Sequence, residues 1–88
     1  MFYTYNLISI KTKKLYTGYT QDLKKRLFEH NNKKGGEYTS KNGPYTLIHY
    51  EAFLTEIEAK NQEKFYKSGY GKEVLKSKLK KTLTNLKK

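Results

Sequence analysis

Nineteen side chains of this 88-residue sequence are basic, and only one of them, Arg26, is an arginine. A guanidinium grips a phosphate through two parallel hydrogen bonds from a planar fork, which a lysine ammonium cannot do. In a chain that uses lysine at every other basic position, Arg26 is therefore a candidate phosphate ligand. Asp22 and His30 lie four residues before and after it, and on a helix that spacing puts all three on one polar face. Attack on a phosphodiester needs fixed positive charge around the equatorial oxygens, a positioned nucleophile and help for the leaving oxygen. Arg26 suits the first need. His30, with an ordinary pKa of ~6.5, suits a proton shuttle, and equally a partner for a tyrosine hydroxyl or a phosphate. The quieter readings are a lone arginine left by a lysine-biased composition and a histidine that only complements the negative end of a helix dipole.

The charge balance points to the same kind of partner. A formal charge of +11 and a pI near 9.8 draw a 10.4 kDa chain toward polyanions through counterion release. Nucleic acid is the expected partner; ribosome or membrane-surface association and a solvated lysine coat are the alternatives that charge alone does not separate. The absence of cysteine excludes a disulfide framework and a thiolate zinc site. No segment approaches the ~20 apolar residues of a membrane span. Met1-Phe2-Tyr3-Thr4-Tyr5 also lacks the order of a signal peptide, so the expected location is cytoplasmic, with no membrane contact.

An 88-residue chain makes one small domain that buries only ~60–65% of its unfolded surface, and nine tyrosines and four phenylalanines must supply much of the packing. Phe2 to Ile8 and Leu15 to Thr20 are rich in aromatic and β-branched residues and flank a turn at Ile10 to Lys14, which predicts a β-hairpin. Thr20 or Asp22 can cap the next helix, in which Leu23 and Leu27 repeat and which ends at Asn31-Asn32. A polar loop then runs to Pro44. Tyr45 to Phe53 alternates as a third strand, and Thr55 with Glu58 forms a capping box for a helix reaching Lys67. Gly69 and Gly71 are expected to stop it. Val74, Leu75, Leu79, Leu83 and Leu86 then trace one apolar stripe along a single C-terminal helix. The expected fold is α/β of the α+β kind: a small three-stranded antiparallel sheet flanked by three helices, in the order β-β-α-β-α-α. Residues 1–81 form the domain, and 82–88 a basic tail that frays from the last helix.

On these elements the chain resembles the GIY-YIG nuclease family. Tyr3-Thr4-Tyr5 stands at the family's first tripeptide and Tyr16-Thr17-Gly18 at its second. Tyr19 to Asn31 looks like its first helix, Glu58-Ala59-Lys60-Asn61-Gln62-Glu63-Lys64 is similar to its Glu-Ala-x-x-x-Glu-Lys helix, and Lys67-Ser68-Gly69-Tyr70-Gly71 resembles a loop of small stand-alone bacterial members. The resemblance implies endonucleolytic hydrolysis of DNA with one divalent cation, Mg²⁺ or Mn²⁺. It further implies that Glu63 binds the metal, Arg26 holds the scissile phosphate, Tyr5 and Tyr16 stand near the attacking water, and His30 fills a position of histidine or tyrosine. Gly18 would support the site by letting the backbone turn closely at the end of its strand.

Other roles stay open at the level of sequence. Tyr5 and Tyr16 can be packed strand aromatics, and Glu63 can simply pair with Lys67 four residues on. Lys24, Lys25, Lys64 and Lys67 are candidate DNA contacts, and so is Tyr38, which can stack on a base or cover the core. Lysines neutralise phosphate without reading base edges, so selectivity is expected to be weak and directed by shape, with branched or damaged DNA as the substrate class and DNA repair as one setting. A partner protein or a homodimer would then supply targeting. The sequence departs from the family at Tyr3, which replaces a glycine, and at Lys72 to Leu79, which lacks an asparagine carried by several relatives. A non-catalytic nucleic-acid-binding module on the same fold is the alternative reading, and an RNA-binding domain whose tyrosines stack bases on an open sheet is a third.

Overall fold

The chain is represented by a computed structural model that describes residues 1–31 and 44–86. Its strands are β1 (Phe2–Ser9), β2 (Leu15–Thr20) and β3 (Tyr45–Phe53), and its helices α1 (Leu23–Asn31), α2 (Glu56–Lys67), α3 (Gly69–Lys78) and α4 (Lys80–Leu86). The sheet is antiparallel in the order β2-β1-β3. Central β1 is buried without a break from Thr4 to Ser9, because both of its faces are covered. On one face Tyr5 and Leu7 pack with Tyr45 against Leu23 and Leu27 of α1. On the other, Tyr66, Leu75 and Leu79 of α2 and α3 and its C-terminal boundary close over Leu15 and Ile48. Thr4 Oγ1 donates to the Ala59 carbonyl at 2.6 Å and fastens α2 to β1.

Local signals account for most boundaries. The hairpin turn closes with Lys13 in the left-handed region (φ 62°) and its N–H on the Ser9 carbonyl. Asp22 caps α1 by accepting from the Lys25 N–H at 3.1 Å. That carboxylate therefore serves the helix end instead of joining Arg26 and His30 as a third site group. Thr55 caps α2 in extended backbone, accepting from the Glu58 N–H while its hydroxyl donates to the Glu58 carboxylate.

The C-terminal third differs from expectation in two ways. Gly69 and Gly71 do not stop α2; Ser68 does, and they form the first turn of α3. The Ser68 N–H closes α2 on the Phe65 carbonyl, while its Oγ accepts from the Gly71 N–H and opens α3. A Cβ on Gly71 would lie 1.7 Å from the Phe65 carbonyl oxygen, so only glycine lets α3 turn back so tightly. The leucine stripe is likewise divided, giving four helices among the described residues instead of three. Leu79 leaves helical geometry (φ −105°, ψ 18°) and its N–H reaches Leu75 and Ser77, so α3 ends there and α4 carries regular structure through Leu86.

Candidate active site

Tyr5 stands at the centre of the sheet, 2% exposed. Its hydroxyl oxygen lies 2.8 Å from His30 Nε2 and accepts from Arg26 Nε at 3.3 Å. α1 supplies both partners from successive turns, so the four-residue spacing acts here as a two-point grip on one phenol. Gly18 pairs directly with Tyr5 across β1 and β2, and the phenol ring lies over it. The strand continues past it to Thr20, so the glycine makes room for a ring instead of a turn at the strand end.

Burial sets the electrostatics. Tyr5 is pushed up to about 12, chiefly by desolvation, with the Arg26 hydrogen bond pulling the other way. It is a neutral phenol at working pH. His30, 1% exposed, is pushed down to about 4 by desolvation and then by the Arg26 charge, so its imidazole is neutral as well. Among the described residues its Nδ1 has no hydrogen-bond partner. In this structure His30 is the neutral partner of the Tyr5 hydroxyl, one of the arrangements its residue type allows.

Tyr16, half-buried on β2, meets the His30 ring edge-on at 5.0 Å and the Tyr5 ring at 6.5 Å. Tyr45 completes this cluster at 6.1 Å from His30, a neighbour that sequence reasoning missed. It is held there by Asn31, whose side-chain amide accepts from the Tyr45 N–H at 2.7 Å and donates to its carbonyl at 3.1 Å. A polar residue closing a helix was the only available signal. Among the described residues, the terminal nitrogens of Arg26 make only a loose pair with Glu29 at 3.6 Å.

Glu63 comes to this region from α2, and its charge is near enough to raise the Tyr5 pKa. Its carboxylate also makes the pair expected of an ordinary helix face, with Lys67 Nζ at 2.9 Å. Lys67, Tyr16 and Thr17 together line a hollow of about 210 Å³. Glu63, Lys64 and Lys67 line another of about 280 Å³. Lys24 and Lys25 are exposed on α1. Tyr38 lies outside the described residues. Among those described, no three or more His, Cys, Asp or Glu gather to hold a metal, which rules out a cage built from protein ligands there. A single carboxylate such as that of Glu63 fits a hard cation such as Mg²⁺, which keeps several waters and takes substrate oxygen for the rest.

The sequence profile of the GIY-YIG catalytic domain matches residues 1–80. The chain belongs to the GIY-YIG family. That is a nuclease family. This GIY-YIG chain is 40% identical over 67 residues to a UPF0213 protein of Clostridium perfringens, covering 76% of this chain and 71% of that one. A UPF0213 protein of Bacillus pumilus is 48% identical over 54 residues, and the match spans 55% of that relative's length. The solution NMR structure of the UPF0213 protein from Bacillus halodurans is 39% identical and superposes with a TM-score of 0.52, covering 88% of this chain and 84% of that one. Among the described residues, no helix of the GIY-YIG domain is long and apolar enough to cross a membrane.

Proposed function

We propose that this GIY-YIG domain is a divalent-metal-dependent endonuclease that hydrolyses DNA phosphodiester bonds, directed by backbone and shape with little base selectivity. The observation that carries the reading is the shared grip of Arg26 and His30 on the Tyr5 hydroxyl. Arg26 spends its Nε on Tyr5, so the terminal N–H groups remain for two non-bridging oxygens of a phosphodiester. Their hydrogen bonds strengthen as negative charge builds on those oxygens in the transition state. Tyr5, kept neutral by burial, acts as a hydrogen-bonding group that orients water or phosphate and not as a phenolate base. Tyr16, on the adjacent strand, presents a second phenol to the same region. Glu63 would hold the cation, which when bound supplies positive charge to the phosphate and acidifies water beside it. Exposed Lys24, Lys25, Lys64 and Lys67 contact the DNA backbone, with Lys67 leaving its pair with Glu63 to do so.

A second reading, a module that binds DNA without cutting it, is favoured by the Glu63–Lys67 pair, because that carboxylate already has a cationic partner. One experiment separates the two. Plasmid or branched DNA is incubated with purified protein with and without Mg²⁺ or Mn²⁺, beside Glu63→Ala. The nuclease reading expects cutting only with metal, none in the variant, and salt-sensitive binding retained by both. Binding with no cutting under either metal supports the module, and equal cutting by the variant removes Glu63 from the chemistry.

A further inference from the structure

We propose that Tyr3 and Tyr50 form a stacking platform for an unpaired nucleobase of the DNA strand whose phosphate Arg26 holds, so that the preferred substrate carries single-stranded nucleotides at the cut. The proposal rests on the function proposed above and names its substrate class. Side chains alternate along β1, so Tyr3 and Tyr5 share a face. Tyr50 pairs directly with Tyr5 across β1 and β3 and projects from that face too. Leu23 and Leu27 of α1 pack over the end that carries Tyr5, Leu7 and Tyr45. Beyond Tyr5 the face carries exposed aromatic surface: Tyr50 is 52% exposed, and its ring meets that of half-buried Tyr3 edge-on at 6.0 Å and 68°. Ala52, opposite Tyr3 and exposed, raises no wall beside them.

The position favours this occupant. The phenol of Tyr5 lies over Gly18 on β2 and Tyr50 stands on the other side of β1, so a strand whose phosphate sits at the Arg26–Tyr5 site crosses two strand spacings, roughly 10 Å, to bring a base onto Tyr50. The +11 charge draws the backbone in, and the aromatic pair meets the base. Stacking tolerates every base because each has a π-face, which agrees with the low base selectivity proposed above. Bases inside a duplex are already paired and stacked, so only an unpaired nucleotide can use the platform.

The test uses wild-type protein in chelator, where no cleavage is needed, with a short oligodeoxynucleotide carrying one 2-aminopurine and with its duplex. Stacking predicts quenching of the 2-aminopurine when the single strand binds. Tyr50→Ala should weaken single-strand binding about tenfold and lose the quench, as expected for one stacked base. Tyr50→Phe should restore both and Tyr50→Leu neither, while all variants bind duplex equally and melt at the wild-type temperature. Unchanged single-strand affinity and quenching in Tyr50→Ala would overturn the platform, and so would an equal loss on duplex. A protein that quenches but never cuts with metal would refute the nuclease reading alone, so the two failures are distinct.

Discussion

The ring of Tyr5 occupies the space that any side chain at Gly18 would need: a Cβ there would lie 2.3 Å from the phenol oxygen and 2.4 Å from Cζ. A side-chain end can often swing aside, but this one is buried and held by His30 and Arg26. Gly18→Ala should therefore displace the hydroxyl from both partners at once. We expect a loss of cleavage of roughly a hundredfold and a destabilisation of about 1–3 kcal/mol from overpacking. Single-turnover rates and urea melts measure the two effects, and an active variant would show that the phenol's position is not critical.

Removing the hydroxyl without moving the ring isolates its role. Tyr5→Phe leaves His30 Nε2 buried without its phenol partner, at a cost of about 1–3 kcal/mol, and should lower the cleavage rate about a hundredfold or more. DNA binding should hold, since no charge is lost. Parallel binding and rate measurements check this split.

Acid should destabilise the protein through His30. Its pKa in the folded chain is about 4, below the ordinary 6.5, so between those values the unfolded chain takes up a proton that the folded chain refuses. Its contribution is complete above pH 6.5 and is lost as pH falls toward 4. His30→Gln should flatten the fall in melting temperature across that window. A further fall below pH 4.5 should survive the substitution. It belongs to Glu51, whose carboxylate burial would raise, but which hydrogen bonds from Tyr66 and His49 and the nearby Lys78 hold below 4.5. An unchanged slope between pH 6.5 and 4.5 would show that His30 does not carry it.

Arg26→Lys preserves the charge and removes the planar fork. The salt dependence of DNA binding should stay the same, because the number of neutralised phosphates is unchanged. The cleavage rate should drop by about a hundredfold or more, since one ammonium cannot match two oxygens at once. A wild-type rate would make the single arginine incidental.

The local parts of this fold were open to reading from the chain alone. Strand alternation, the Asp22 cap and the Thr55–Glu58 box depend on neighbours a few residues apart, so β1 to α2 fall close to where the sequence puts them. The same holds for the turn-to-turn spacing of Arg26 and His30. The break at Leu79 and the use of Gly71 inside a helix were not legible, because packing of α3 against the end of α2 decides them over helical propensity. Nor could sequence show that Tyr5, 25 residues from His30 and 58 from Glu63, would receive a hydrogen bond from Arg26, contact the imidazole and feel the carboxylate. Residue types and spacing determined which groups were available for phosphate chemistry. Burial at the centre of the sheet decided that Tyr5 and His30 meet as neutral groups, because desolvation is a property of the folded interior that no local pattern encodes.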